Sequence, residues 1–417
     1  MDRTQTLSAA PRAPALARAF PPWLVNAAEF GFWTLFLFAV SGGFAFALGP
    51  GTAERVMWLA ADALALAFLG LSLDHYARRI AANGALFAWA ALAMLSALWS
   101  LAPVLSVYHG AQLFLTLLVG LVIRERFGVE GLARMLFFAL LAALALSLPL
   151  GAAGRGINAY GEWRGVFSHK NVLGAAMTTL FFLSLARLLS GRDRATALAG
   201  IGGAPLALAL SGSAAAMVVF AALLAATPFL IAWRAGWGAR LAALGLALAA
   251  AAGALLAAAA LGLDPVETAL GALGKDRTLT GRTLLWRFAA EAAAERPLLG
   301  YGYKAWWESG ATGATYLRYA IGQDLWFFHN NFLEVQVALG AVGMLAFAIG
   351  LVAAATEALR RFARRPTPAH GWALLLLLNV LILAMVENPL FVNHGLWQLL
   401  FAAAFARMPA PRSPSAG

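Results

Sequence analysis

Two stretches outside the long apolar runs of the chain combine arginine, lysine and histidine side chains. Between residues 264 and 334 lie Arg277 and Arg282 and, at the end, His329-Asn330-Asn331-Phe332-Leu333-Glu334. A shorter stretch, 151–170, holds Arg155, Arg164, His169 and Lys170 against one acidic residue, Glu162. Guanidinium forks bind phosphate and diphosphate groups through paired, charge-assisted hydrogen bonds. An imidazole titrates near neutrality and can take the proton of an attacking hydroxyl. These residue types point to a hydroxyl attacking a group activated by an anionic leaving group, with His329 as the base. Two plainer readings stay open. His329 beside two asparagines can serve a helix start, and the arginines of the shorter stretch can snorkel to phospholipid headgroups.

The elements that must position these residues are apolar. Of 417 residues, 62% are hydrophobic and 12% charged, more apolar surface than a soluble domain can hide. Runs long enough to cross a bilayer lie near 26–49, 56–73, 85–103, 106–123, 133–150, 171–190, 195–211, 213–233, 239–263, 331–356, 371–387 and 390–406. The expectation is an all-α polytopic membrane protein of about twelve transmembrane helices with one large outer loop carrying short amphipathic helices. It divides into a basic cytoplasmic tail (1–22), nine spans (23–263), the loop (264–330), three spans (331–407) and a second cytoplasmic tail (408–417). The first apolar run is too long for a signal-peptide core and is kept as an uncleaved span. Cysteine is absent, which removes disulfides and thiolate chemistry.

The net charge of +11 in a soluble protein would raise nucleic-acid binding. Here loop topology accounts for most of it. Arg3, Arg12 and Arg18, Arg78 and Arg79, Arg124 and Arg126, Arg192 and Arg194, Arg360 to Arg365 and Arg407 all fall on one side if the N-terminus is cytoplasmic. Both termini are then inside and the large loop outside. Long loops escape this charge rule but the 151–170 loop does not, so its cations mark a place that binds an anion.

Within the large loop, Leu284, Leu285, Phe288 and Ala289 share one side of a helix over 282–296, with Arg287, Glu291 and Glu295 opposite and Pro297 as its end. Gly300-Tyr301-Gly302-Tyr303-Lys304-Ala305-Trp306-Trp307 is turn-forming and aromatic, suited equally to sugar stacking and to an interfacial belt. Ionisable residues inside apolar runs are few, and Glu334, Glu387 and His394 share the outer level while Asp62 and His109 lie in earlier spans. No phosphate-binding glycine loop, dinucleotide fingerprint, zinc-protease or nucleophile-elbow pattern occurs, so the energy must come from an activated substrate or a gradient. The gradient alternative, a transporter or lipid-glycan flippase, calls for an internal repeat between halves, and no convincing one is present.

Four motifs resemble the O-antigen ligase and polymerase superfamily of bacterial envelope glycosyltransferases. They are Ser96-Ala97-Leu98-Trp99-Ser100-Leu101-Ala102-Pro103; Trp163-Arg164-Gly165-Val166-Phe167-Ser168-His169-Lys170-Asn171; Gly281-Arg282 through Trp286 with Pro297-Leu298-Leu299-Gly300-Tyr301-Gly302; and His329 to Glu334 followed by Gly340 and Gly343. Their order and spacing cover roughly 85–400. The resemblance implies an enzyme of the bacterial inner membrane whose site faces the periplasm. It would move a glycan from a polyprenyl diphosphate to an acceptor sugar hydroxyl with inversion, without metal or cofactor and without nucleic acid. By position it assigns Arg164 and Arg282 to the diphosphate and His329 to the acceptor hydroxyl. His169, Lys170, Arg277 and Glu334 follow as further substrate contacts. Many ligases of the family have proline after the equivalent of His169. Lys170 stands there in this chain, as in exopolysaccharide polymerases. The acceptor is therefore either a lipid A-core oligosaccharide or the next repeat unit of a growing glycan.

Overall fold

A computed structural model describes residues 21–233, 235–246, 271, 282–322 and 325–408. Arg277, both expected tails apart from their innermost residues, and most of the run at 239–263 lie outside the described residues. The described chain is helical, with a single isolated β-bridge joining Ile157 and Trp163. In lipid every backbone group must be paired within the chain, and Ala- and Leu-rich runs satisfy that as helices at little side-chain entropy.

Six described helices are long and apolar enough to cross a membrane: Trp23–Val40, Pro103–Ala152, Lys170–Leu189, Arg194–Ser211, Ala214–Ala232 and Asn331–Arg364. A seventh arises if Thr52–Leu71 and Leu73–Ala82, which meet at 107°, form one broken span. The chain is thus a polytopic membrane protein, but the expected count of about twelve is not what helix length and composition alone deliver. Three expected spans form shorter apolar helices, Gly84–Leu98, Pro368–Ala384 and Leu396–Phe405. The runs at 106–123 and 133–150 belong to one 50-residue helix bent at Gly128, where φ is 64° and ψ −174°. Aromatic rings fill the centre of the bundle, with Trp33, Tyr76, Trp89, Phe137, Phe347 and Phe401 buried there.

A second break positions the candidate site. Gly340 interrupts the Asn331–Arg364 helix with φ 62° and ψ −159°. The turn it opens frees backbone groups, and the 297–302 strip pairs with them. Tyr301 N donates to Val337 O (3.0 Å) and Gly302 N to Ala338 O (2.9 Å), while Pro297 O and Leu298 O accept from Ala341 N (2.8 Å) and Val342 N (3.2 Å). The Ser96–Pro103 motif and the first turn of the Pro103–Ala152 helix grip the strip's other side. Trp99 Nε1 donates to Leu299 O (2.8 Å), and Ser106 Oγ donates to Tyr303 O (2.8 Å). In return Tyr303 N donates to Ser96 Oγ (2.9 Å).

Two motifs far apart in sequence therefore form one clamp on the foot of the large loop. A Cβ on Gly340 would lie 2.3 Å from the Leu298 carbonyl carbon, and one on Gly302, at φ 97°, would lie 2.2 Å from Ser100 Oγ. Left-handed backbone at a non-glycine residue costs about 1–3 kcal/mol before any clash. Gly340→Ala is therefore expected to lower the thermal midpoint of the detergent-solubilised protein by several degrees, and Ala341→Ser, next to it, to leave it unchanged.

Candidate active site

The expected helix of the large loop is present as Arg282–Glu295, and it buries Leu285, Ala289 and Ala292. The periodicity dictates that face: positions four apart stack on one side of a helix and pack together. Tyr301 closes the far end of this helix by donating its hydroxyl to Glu295. Burial, and then the neighbouring carboxylate, push the Tyr301 phenol up to about 12, so it stays a donor at neutral pH.

Arg282, at the start of the helix, reaches across to the turn after Pro368–Ala384. Its Nη2 donates to Glu387 Oε1 at 2.7 Å, and its Nη1 donates to the Val386 carbonyl. His329 meets the other oxygen of the same carboxylate, with Nδ1 2.9 Å from Glu387 Oε2. Burial alone would raise the Glu387 carboxyl. The hydrogen bond from His329, with the Arg282 guanidinium, outweighs it and holds the group below the usual carboxylate range. A carboxylate accepts, so His329 donates from Nδ1, which fixes the tautomer and leaves the Nε2 lone pair to receive a proton.

The backbone around His329 is set with care. His329 itself has φ 50°, an uncommon conformation outside glycine. Asn330 caps the following helix, its Oδ1 accepting from Phe332 N and Leu333 N at 3.0 and 3.1 Å, and its Nδ2 donates to Met385 O at 3.2 Å. Asn331 Oδ1 accepts from Leu390 N at 2.9 Å. Consecutive asparagines thus tie the His329 turn to both ends of the 385–390 turn, and Glu387 is presented between them. The helix-start role that the sequence allowed for this segment is real, but Asn330 performs it, and the imidazole faces the carboxylate.

The remaining expected residues are placed as follows. Glu334 is 5% exposed and sits beneath the turn, where its Oε2 accepts from Phe328 N (3.1 Å) and from Trp307 Nε1 (3.4 Å). Those bonds fix the backbone that leads into His329. Lys170 pairs with Glu162, which also accepts from Asn158 Nδ2 at 2.8 Å. Those two hydrogen bonds, Lys170 first, hold the Glu162 carboxyl below its ordinary range. His169 is the cap of the Lys170–Leu189 helix, its Nδ1 accepting from Asn171 N at 3.2 Å. Both residues therefore already have structural partners.

Arg164 belongs to a separate, tightly wound loop. Gly156 O accepts from Arg164 N (2.8 Å) and Gly165 N (3.0 Å), and Ser147 Oγ accepts from Val166 N (3.1 Å). The Arg164 Nε is buried and has no hydrogen-bond partner among the described residues. The structure brings Arg282 and His329 together through Glu387 and holds Arg164 on its own loop.

Sequence reasoning placed Glu387 at the outer level but gave it no role. The signal was there: an ionisable group closing an apolar run demands a partner. The same signal marked Asp62 and His109. Asp62 Oδ2 lies 2.9 Å from His394 Nε2, and that ring stacks on Trp58 at 4.6 Å. His109 Nε2 lies 3.1 Å from Glu308 Oε2.

A family model for O-antigen ligase matches residues 196–348, a range that contains Arg282 and His329. The chain is also 31% identical over 308 residues to "Exopolysaccharide production protein ExoQ" of Rhizobium meliloti (strain 1021), 70% of each chain being covered. The chain belongs to the O-antigen ligase family. In this member of the O-antigen ligase and polymerase superfamily, Glu387 lies beyond the matched range yet supplies the carboxylate that joins the two residues within it.

Proposed function

We propose that the chain is a glycosyltransferase of the bacterial inner membrane that transfers a glycan from a polyprenyl diphosphate to an acceptor sugar hydroxyl on the periplasmic face. The observation that carries this reading is the single carboxylate of Glu387 held by Arg282 at 2.7 Å and by His329 at 2.9 Å. It sets a guanidinium and an imidazole within one side chain of each other, which supports reading the first as the diphosphate-binding cation and the second as the base.

In this reading the acceptor oxygen bonds to the anomeric carbon from the face opposite the diphosphate, and the configuration inverts. The bond from that carbon to the diphosphate oxygen breaks, and its electron pair leaves on the diphosphate. Arg282 and Arg164 meet the developing charge there. The hydroxyl proton passes to His329 Nε2, and Glu387 stabilises the imidazolium that results. Arg164 joins the site from its own loop when the diphosphate bridges the two guanidinium groups. The site faces the periplasm, both termini are cytoplasmic, and about twelve segments cross the membrane with residues 264–330 as the outer loop.

For the acceptor, a growing glycan is favoured over lipid A-core. Lys170 follows His169 here, and the relative from Rhizobium meliloti is named for exopolysaccharide production. Reconstitution in vesicles with a polyprenyl-diphosphate glycan and each acceptor in turn tests this. Products lengthening by whole repeat units mark a polymerase, and a single addition to lipid A-core marks a ligase. Transfer is expected to persist in EDTA and without ATP, and a strict need for either would overturn the mechanism.

A further inference from the structure

An apolar cavity of about 480 Å³ opens beside the loop that carries Arg164, between the 38–47 segment and the end of the Pro103–Ala152 helix. Small-molecule pockets commonly span about 300–1,000 Å³. Phe38, Phe44, Phe46, Leu146 and Leu150 line its walls, and Arg155 stands at its edge as the one charged group in the lining. The loop and the cavity are one construction. Val166 lines the cavity, and its carbonyl accepts from Phe46 N at 2.8 Å. Arg155 N donates to Leu150 O at 2.9 Å, and the next residue, Gly156, supplies the carbonyl that holds Arg164 N.

We propose that this cavity seats the first isoprenoid units of the lipid-linked donor, with Arg155 beside its diphosphate; this rests on the reading of the reaction given above. The wall repels a sugar, which would leave its hydroxyls unpaired. An amphiphile suits it, chain against the phenylalanines and leucines, anion toward the cation. Arg155 directly precedes Gly156, whose carbonyl holds Arg164 N, so two arginines meet at one backbone turn, and Arg164 carries a buried Nε with no partner among the described residues. Two such forks match the two phosphoryl groups of a diphosphate better than the single phosphodiester of a phospholipid. Arg155, unassigned by the motif comparison, thereby gains a function, and the cation excess of this loop a ligand.

The test fills the cavity from its exposed lip with Ala47→Trp and Ala153→Trp. Transfer is compared for a full-length polyprenyl-diphosphate donor and a donor carrying the same glycan on a short, water-soluble prenyl chain. The ratio of kcat/KM for the long over the short donor is expected to fall about tenfold, through KM, since displacing about two buried methylenes is worth that much. A diazirine-bearing polyprenyl phosphate is expected to label the 146–150 segment and to be displaced by unlabelled polyprenyl diphosphate but not by phosphatidylglycerol. An unchanged ratio in both variants with wild-type thermal midpoints, or equal displacement by phosphatidylglycerol, overturns the proposal. If the wild-type chain transfers from neither donor, the reading of the reaction falls and the labelling alone decides the cavity.

Discussion

Glu387→Gln is expected to reduce transfer by about 10²–10⁴-fold, the range spanned by general-base assistance, while donor binding persists. The amide keeps the size of the carboxylate but removes the charge that Arg282 and His329 share. The amide has one accepting oxygen where the carboxylate has two, so Arg282 and His329 compete for it, and the imidazolium formed during proton transfer loses its counter-ion. The fall should therefore sit in kcat, read from steady-state kinetics with saturating donor. A variant with wild-type kcat would remove Glu387 from the reaction.

The same group sets an acid limit. Its folded value lies below the ordinary glutamate range, so its contribution to stability is fully present above about 4.3, the unfolded value, and is lost as pH falls through the depressed folded value. The protein is expected to lose thermal stability at the acid end of its range, and Glu387→Gln to flatten that dependence.

Arg282→Ala is expected to cut transfer by about 10²–10³-fold, by analogy with removing a donor aimed at developing charge, with membrane insertion intact. Arg282→Lys should recover little. The fork in Arg282 serves the Glu387 carboxylate and the Val386 carbonyl from two different nitrogens, a geometry that one ammonium on a flexible stem does not reproduce. The comparison to make is transfer rate against the amount of folded protein recovered in the membrane fraction. Near-wild-type transfer by Arg282→Ala, Arg164→Ala and His329→Ala together would dismantle the mechanism.

What the sequence disclosed and what it withheld follow from physics. The Arg282–Glu295 helix was legible because Leu285 and Ala289 lie one turn apart and need an apolar neighbour. Membrane residence was legible from composition alone. The break at Gly340 was not, since a helix-breaking φ leaves no trace in an apolar run and glycine is common in such runs. The same holds at Gly128, where two expected spans belong to one bent helix. Glu387 was visible as an ionisable group at the outer level, but its partners lie 105 and 58 residues away in sequence. No local pattern encodes such a distance. The roles of Trp99 and Ser96 were hidden for the same reason. Their motif carried the family resemblance, and Trp99 Nε1 and Ser96 Oγ are spent on backbone groups of the 297–303 strip.

That strip is fastened to the broken helix mainly by four backbone-to-backbone hydrogen bonds, with Gln336 Nε2 donating to Pro297 O at 3.2 Å as the one side-chain bond among the described residues. A fastening of this kind is indifferent to what Leu298 and Leu299 carry, provided Gly300, Gly302 and Gly340 stay bare. The side chains of this loop can therefore be redrawn while the platform under Arg282 keeps its place, which makes the loop the natural starting point for altering the acceptor choice of the proposed transfer by design.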